Sequence, residues 1–427
     1  MNPPATPTVE RLSVGGKRPS RCPRHARKNP NNGTAPAAWI RPEALWSEPF
    51  RLFFPLALTA GVLGVIVWPL VFWGWMERSP IQVHTRLMSL GFFGGFVYGF
   101  LGTSLPRLLK TPSFRAIETI SLLGLHALSS GCYFMGEIHW GDGLAALTAG
   151  CLIVLLLPRI GRRSEVPAPG FLMVIPSVLS LLGGLSLAWL TDRFQGGYRW
   201  DLSIRLFLYH GFVLLCLLGA GGFLLPRFLG LGLRRMYGAA KEGDPVWRRS
   251  AWIALCTGFA ILASYGLDII DHSQGGATVR GILVLAYLAW EIPLERLRFS
   301  KIGVNWILSL GLLCVPLGIL IAGWWPTFRV GLSHLELAAG AGLLTLGIAS
   351  RVVFGHTGNR EKLEVFHPWL SLASVLMMVG VGARMASDFK SEQAIHLYIV
   401  AGLSWVLGAL IWGACLITKV LTPDPDA

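Results

Sequence analysis

Twelve runs of about twenty apolar residues follow one another between positions 50 and 418, and no other feature limits the fold of this chain so severely. A run of that length crosses the hydrocarbon core as a helix. In lipid, a helix satisfies its backbone N–H and C=O groups internally, which an open strand cannot do. The runs lie near 50–75, 83–105, 114–137, 143–158, 170–191 and 202–225 in the first half. The second half gives 250–270, 277–294, 302–325, 331–354, 367–387 and 394–418. The sequence therefore predicts an all-α integral membrane protein of about twelve transmembrane helices. Only 14% of residues are charged, where a soluble domain carries about a quarter.

Basic residues set the expected orientation. With the N-terminus inside, the tail, five loops and the C-terminus collect about 27 of the 37 Lys and Arg. The outer loops hold Arg78, Arg193, Arg199, Arg329 and Lys390. That bias predicts both termini in the cytoplasm of a multi-pass inner-membrane protein. The formal charge of +14 follows from the same loops and tail, so it reads as topology rather than as a nucleic-acid surface. Residues 1–45 are rich in Pro, Asn, Arg and Lys and lack a signal-peptide apolar core, so a disordered basic cytoplasmic tail is expected there. The transmembrane domain follows over 46–420, and 421–427 form a short cytoplasmic tail. Seven cysteines stand singly, which argues against a disulfide framework or a thiolate metal centre. Cys22 and His25 have ligand-like spacing, but two isolated ligands make a poor site.

A shift of 120 residues superimposes Gly91–Leu109 on Gly211–Leu229, matching Gly91 to Gly211, Gly99 to Gly219, Gly102 to Gly222 and one Leu-Pro-Arg to another. Four helices need about that length, so the domain is expected to comprise three four-helix units, 50–158, 170–295 and 302–418. His84, His210 and His334 fall on the equivalent helix of each unit, all in the outer half. Taken singly, each imidazole reads as an interfacial side chain bonded to water or a carbonyl. Taken together, three imidazoles in lipid ask for partners and could ligate iron or copper. Met88 lies one turn below His84, where a thioether suits Cu(I), although packing is the commoner role. Gly91, Gly95 and Gly99 share one face, a pattern that permits close helix approach. The WGDG around Trp140 reads as a turn, and His126 as hydrogen-bonded structure within its span.

Three segments resemble the NnrS family of membrane proteins. Glu48-Pro-Phe-Arg-Leu-Phe-Phe-Pro55 is similar to that family's FRPFF opening. His84-Thr-Arg-Leu-Met-Ser-Leu-Gly-Phe92, with Gly99-Phe-Leu and Leu105-Pro106 after it, looks like the WHAHEM–GF and GFLLTAVP stretches. His334, then Ser350-Arg351-Val-Val-Phe-Gly355-His356-Thr357-Gly358, is similar to the pattern H…G…R-x-x-x-GHTG. The second His and the Glu of HAHEM are replaced by Arg86 and Leu87, so the chain is a divergent match. The resemblance implies a protein that binds haem and copper and acts in the response to nitric oxide or nitrosative stress, with a role in denitrification. On that reading His84, His210 and His334 bind the cofactor, and His84, Met88, His334 and His356 are the metal-ligand candidates. Arg51, Arg351, Gly355, Thr357 and Gly358 carry the motifs. His356 sits at the cytoplasmic end of its helix, and there Gly355 equally supports a cap or turn. The expected partners are the lipid bilayer and nitric oxide or a related small molecule.

Two other functions fit the residues less fully. Many spans, repeats and few charges suit a metal-free secondary transporter, and a structural or assembly subunit is the third reading. The chain has no phosphate loop, HExxH or nucleophile elbow, and whether it catalyses a reaction is open.

Overall fold

Backbone groups buried in an apolar run have only each other to bond, and the chain answers with helices. The computed structural model describes residues 42–76, 79–194, 197–232, 244–300 and 303–422, and no strand occurs among them. Most of the expected N-terminal tail and positions 423–427 lie outside the described residues. Its end differs from expectation, since Pro42–Ser47 is helical. The Trp46 carbonyl there accepts a 2.7 Å bond from Thr119.

Ten helices are long and apolar enough to cross a membrane. In chain order with two further long helices they are α1 (Phe50–Phe72), α2 (Pro80–Leu108), α3 (Ala116–Phe134), α4 (Ile138–Gly161), α5 (Pro169–Thr191) and α6 (Tyr198–Phe228). The second half comprises α7 (Pro245–Ile269), α8 (Ser273–Glu291), α9 (Asn305–Trp324), α10 (Pro326–Gly355), α11 (Pro368–Ser387) and α12 (Ser391–Val420). The two more polar ones, α3 and α8, have 19 residues each. Their polarity is turned inward: His126 of α3 and Arg280 of α8 are both buried.

Three helices stand apart. α2, α6 and α10 have 29, 31 and 30 residues and bury 78%, 78% and 72% of their apolar windows, against 28% for α4. They form the interior of the bundle. Each contains a seven-residue π-helical segment, Leu87–Phe93, Arg205–Gly211 and Leu335–Ala341. A π turn adds a residue per turn and re-aims the side chains beyond it, and such turns concentrate at functional sites. His84 lies just before the first, His210 inside the second and His334 just before the third.

Packing explains the glycine stripe of α2. A methyl at Gly91, Gly95 or Gly99 would come within 2.7–2.8 Å of Ala60, Ala57 or Phe53 on α1. The face is therefore filled by a neighbouring helix, as small-residue stripes in membranes usually are. His126 belongs to the same contact, its Nε2–H donating to the Gly91 carbonyl at 3.1 Å. The WGDG segment, expected as a turn, is instead the first turns of α4. Its glycine serves close approach rather than chain reversal: the Tyr133 ring fills the place where a Gly141 side chain would begin.

Candidate functional site

His84 is placed by the second turn of α2, whose start is set by Pro80 at the first helical position. Its Nδ1 lies 2.9 Å from the carbonyl of Gly64 on α1. His334 sits eight residues into α10, with Nδ1 2.8 Å from the Val330 carbonyl one turn back. A carbonyl oxygen only accepts, so each neutral ring carries its proton on Nδ1 and leaves a lone pair on Nε2. Metal-binding histidines are commonly oriented in this way. The two ring centroids lie 6.4 Å apart, with the planes within 18° of parallel. Ring nitrogens each about 2 Å from one shared ion would set the ring centres roughly 6 Å apart. Both side chains are half-buried.

The pair has aromatic and cationic neighbours. Trp68 meets the His84 ring edge-on at 5.9 Å, and Tyr398 of α12 stacks on Trp68 at 6.0 Å. Arg384 of α11 lies over Tyr398 and is fixed by Asp388 at 2.6 Å and Ser387 at 2.9 Å. Its Nη1 would stand 3.1 Å from a side chain at Gly331, three residues before His334. Met88 is on the same side: its sulfur would stand 3.4 Å from a side chain at Gly64, the residue that anchors His84.

His210 goes elsewhere. Its Nδ1 pairs with Glu336 Oε2 at 2.9 Å, joining the π segments of α6 and α10. Glu336 is buried. Among the described residues, no three His, Cys, Asp or Glu side chains converge as a metal cluster. The geometry thus brings together two of the three expected imidazoles, with Met88 near the first.

His356 lies just past the other end of α10, roughly 33 Å from His334 at 1.5 Å per residue. Its Nδ1 is 2.6 Å from Arg107 and 3.1 Å from Glu48, and its ring meets Phe50 edge-on. Arg51, almost fully buried, holds this end together. It donates to Glu48 at 2.6 Å, to the Val420 and Thr422 carbonyls at 2.6 and 2.8 Å, and to the His356 carbonyl at 3.1 Å. Helix C-termini expose carbonyls without intrahelical donors, and one guanidinium here serves the ends of both α10 and α12. Helix α10 stops at Gly355. The turn after it needs a glycine at Gly358, whose φ is +66°, and Thr357 bonds back to Val353 at 2.7 Å. Arg351 bonds Asn305 at 2.5 Å and lies over Phe228.

Burial alone would push the Glu48 carboxyl up, but His356, Arg51 and Arg107 outweigh it and hold the group below the usual carboxylate range. A depressed folded-state pKa gives stability that is present at neutral pH and lost as pH falls through the lowered value. Glu48→Gln is expected to lose about 1.5–3 kcal/mol at neutral pH and to flatten the acid limb of the unfolding midpoint against pH. An acid limb identical to that of the parent protein would place the pH dependence on other groups.

One cluster is absent from the sequence reading. Arg86 of α2 forms a two-pronged ion pair with Asp142 of α4, at 2.8 and 3.0 Å. Tyr133 of α3 donates to the same carboxylate at 2.8 Å, and Tyr209 of α6 contacts Arg86 through its hydroxyl. Four helices are tied by groups that are all buried. A signal existed: an arginine inside an apolar run must have a partner, and Asp142 is an acidic residue at the edge of another.

The family model described as NnrS protein matches residues 44–423. No curated protein matches the chain.

Proposed function

The chain belongs to the NnrS family, and on that premise we propose that it holds a haem iron or a copper ion between His84 and His334 and acts in the response to nitric oxide. The observation that supports this most is the imidazole pair itself, near-parallel at 6.4 Å with both Nδ1 atoms bonded to carbonyls. The two ring nitrogens left with a free lone pair are the groups that would hold such an ion, with the Nδ1 bonds to Gly64 and Val330 fixing each ring. Bound there, such a metal would supply one-electron chemistry and an affinity for nitric oxide.

The protein's own part in this reading is binding and exclusion of water. The Gly64 and Val330 carbonyls fix the rings, Trp68 and Tyr398 cover one side, and Arg384 supplies positive charge suited to an anionic group nearby. Met88 stands ready as a soft ligand if the ion is Cu(I). We further place the chain in the inner membrane with both termini cytoplasmic, on the strength of the Lys and Arg distribution. The His84–His334 pair then faces the outer side.

Detergent-purified protein from cells replete in haem and copper is expected to carry about one haem or copper per chain, read by a pyridine-haemochrome spectrum and a copper assay. Protein free of both metals would overturn the proposal and return the metal-free transporter as the better reading.

A further inference from the structure

The imidazole pair leans on two backbone carbonyls, so the groups that fix those carbonyls also fix the rings. Val330, whose carbonyl holds His334, shares its peptide unit with the Gly331 N–H. That N–H donates to Oδ2 of Asp388 at 2.8 Å, while the carbonyl lies 2.8 Å from His334 Nδ1. In a planar trans peptide the N–H and C=O point in opposite directions and share one resonance system. Asp388 therefore sits on one side of the unit and the imidazole on the other. A carboxylate drawing on the N–H polarises the C=O and makes it a stronger acceptor. The approach depends on glycine, since a side chain at Gly331 would run into the carboxylate.

Asp388 directly follows α11, at a helix end where negative charge is disfavoured. Arg384 offsets this, its Nη1 donating to Asp388 Oδ1 at 2.6 Å. Both side chains are largely shielded from water, 17% and 16% exposed. Arg384 also carries the brace towards the other imidazole. Its guanidinium lies 5.0 Å from the centre of the Tyr398 ring, which stacks on Trp68 and Phe72 of α1. Trp68 is one turn beyond Gly64, whose carbonyl holds His84. On the other flank of Val330, Arg329 is tied to Asp268 of α7 at 2.5 Å.

We propose that Asp388 is a positioning residue that acts through the Val330–Gly331 peptide to keep the His334 proton on Nδ1 and its Nε2 free. Arg384 holds the carboxylate in place. This role rests on the reading of His84 and His334 as metal ligands, for which a free Nε2 is the requirement. It extends the usual carboxylate–histidine–metal arrangement by one interposed peptide.

The tautomer can be read without metal, from the ring-nitrogen NMR signals of the full chain labelled at histidine and held in detergent. His334 is identified by the signals lost in His334→Ala. The parent is expected to show Nδ1 protonated alone, and Asp388→Ala to show both tautomers. Asp388→Asn keeps an oxygen for the Gly331 N–H and should restore the parent signals. The His126 signals, from α3, should be the same in every variant. If Asp388→Ala does not insert, Gly331→Ala displaces the same carboxylate and should give the same mixture. In metal-loaded protein, Asp388→Ala should bind haem or copper about tenfold more weakly. An unchanged His334 tautomer in Asp388→Ala, or an equal change at His126, would overturn the positioning role. A mixture in Asp388→Ala with a parent that binds neither haem nor copper would overturn the metal reading alone and leave the role of Asp388 standing.

Discussion

Replacing either His84 or His334 with alanine is expected to strip the bound haem or copper while the protein still inserts and remains helical. In the proposed site each imidazole would supply one of the two nitrogen ligands, so losing either removes half of the pair. Loss even of an outer partner of a metal ligand costs about 10–100-fold in affinity, and loss of the ligand itself exceeds that. Metal content should fall to background in both variants, with the loss of any Soret band. His210→Ala is the internal comparison. Its partner is Glu336 rather than the imidazole pair, so that variant should keep most of its metal. Full metal content in His84→Ala and His334→Ala, or loss in His210→Ala alone, would reject the assignment.

The second large effect concerns stability. Asp142→Ala leaves the Arg86 guanidinium buried with its two-pronged partner gone and removes the acceptor of Tyr133. Breaking one side of a buried ion pair costs about 3–5 kcal/mol, because the remaining charge is uncompensated. Replacing both sides with apolar groups of similar size avoids that penalty. The double variant Arg86→Met with Asp142→Leu is therefore expected to recover most of the loss, read as the midpoint of detergent-induced unfolding. A single variant as stable as the parent would show that water or another group reaches Arg86. A double variant as unstable as Asp142→Ala would show that the pair contributes beyond cancelling its own charges.

Arg86 also shows where sequence reasoning stopped. It stands at the second histidine of the HAHEM stretch, so it read only as a departure from the family pattern. In the fold it is the centre of a link between α2, α3, α4 and α6. His210 and Glu336 are a second case. They are 126 residues apart in sequence, and neither carries a local sign of the other. Glu336 lies in the π segment of α10 and is buried, and that segment leaves no mark in hydropathy. The glycine stripe of α2, by contrast, was legible. Small residues at four-residue spacing have one main use between membrane helices, and α1 fills that face.

The long apolar runs determined, by themselves, that this chain is an all-helical membrane protein. In lipid the backbone must bond within each segment, so segment length and polarity suffice to specify a helix. The same locality let the turn after Gly355 be read from Gly-His-Thr-Gly. Which polar side chains share a partner was decided only by the tertiary structure. Helix packing sets those meetings, through the rotation of each helix about its axis and the π turns that alter it. The ends of α10 and α12 at Arg51 and the approach of His84 to His334 both depend on it. The three histidines were visible as a set in the sequence, and the fold divided them into a near-parallel pair and a separate His–Glu contact.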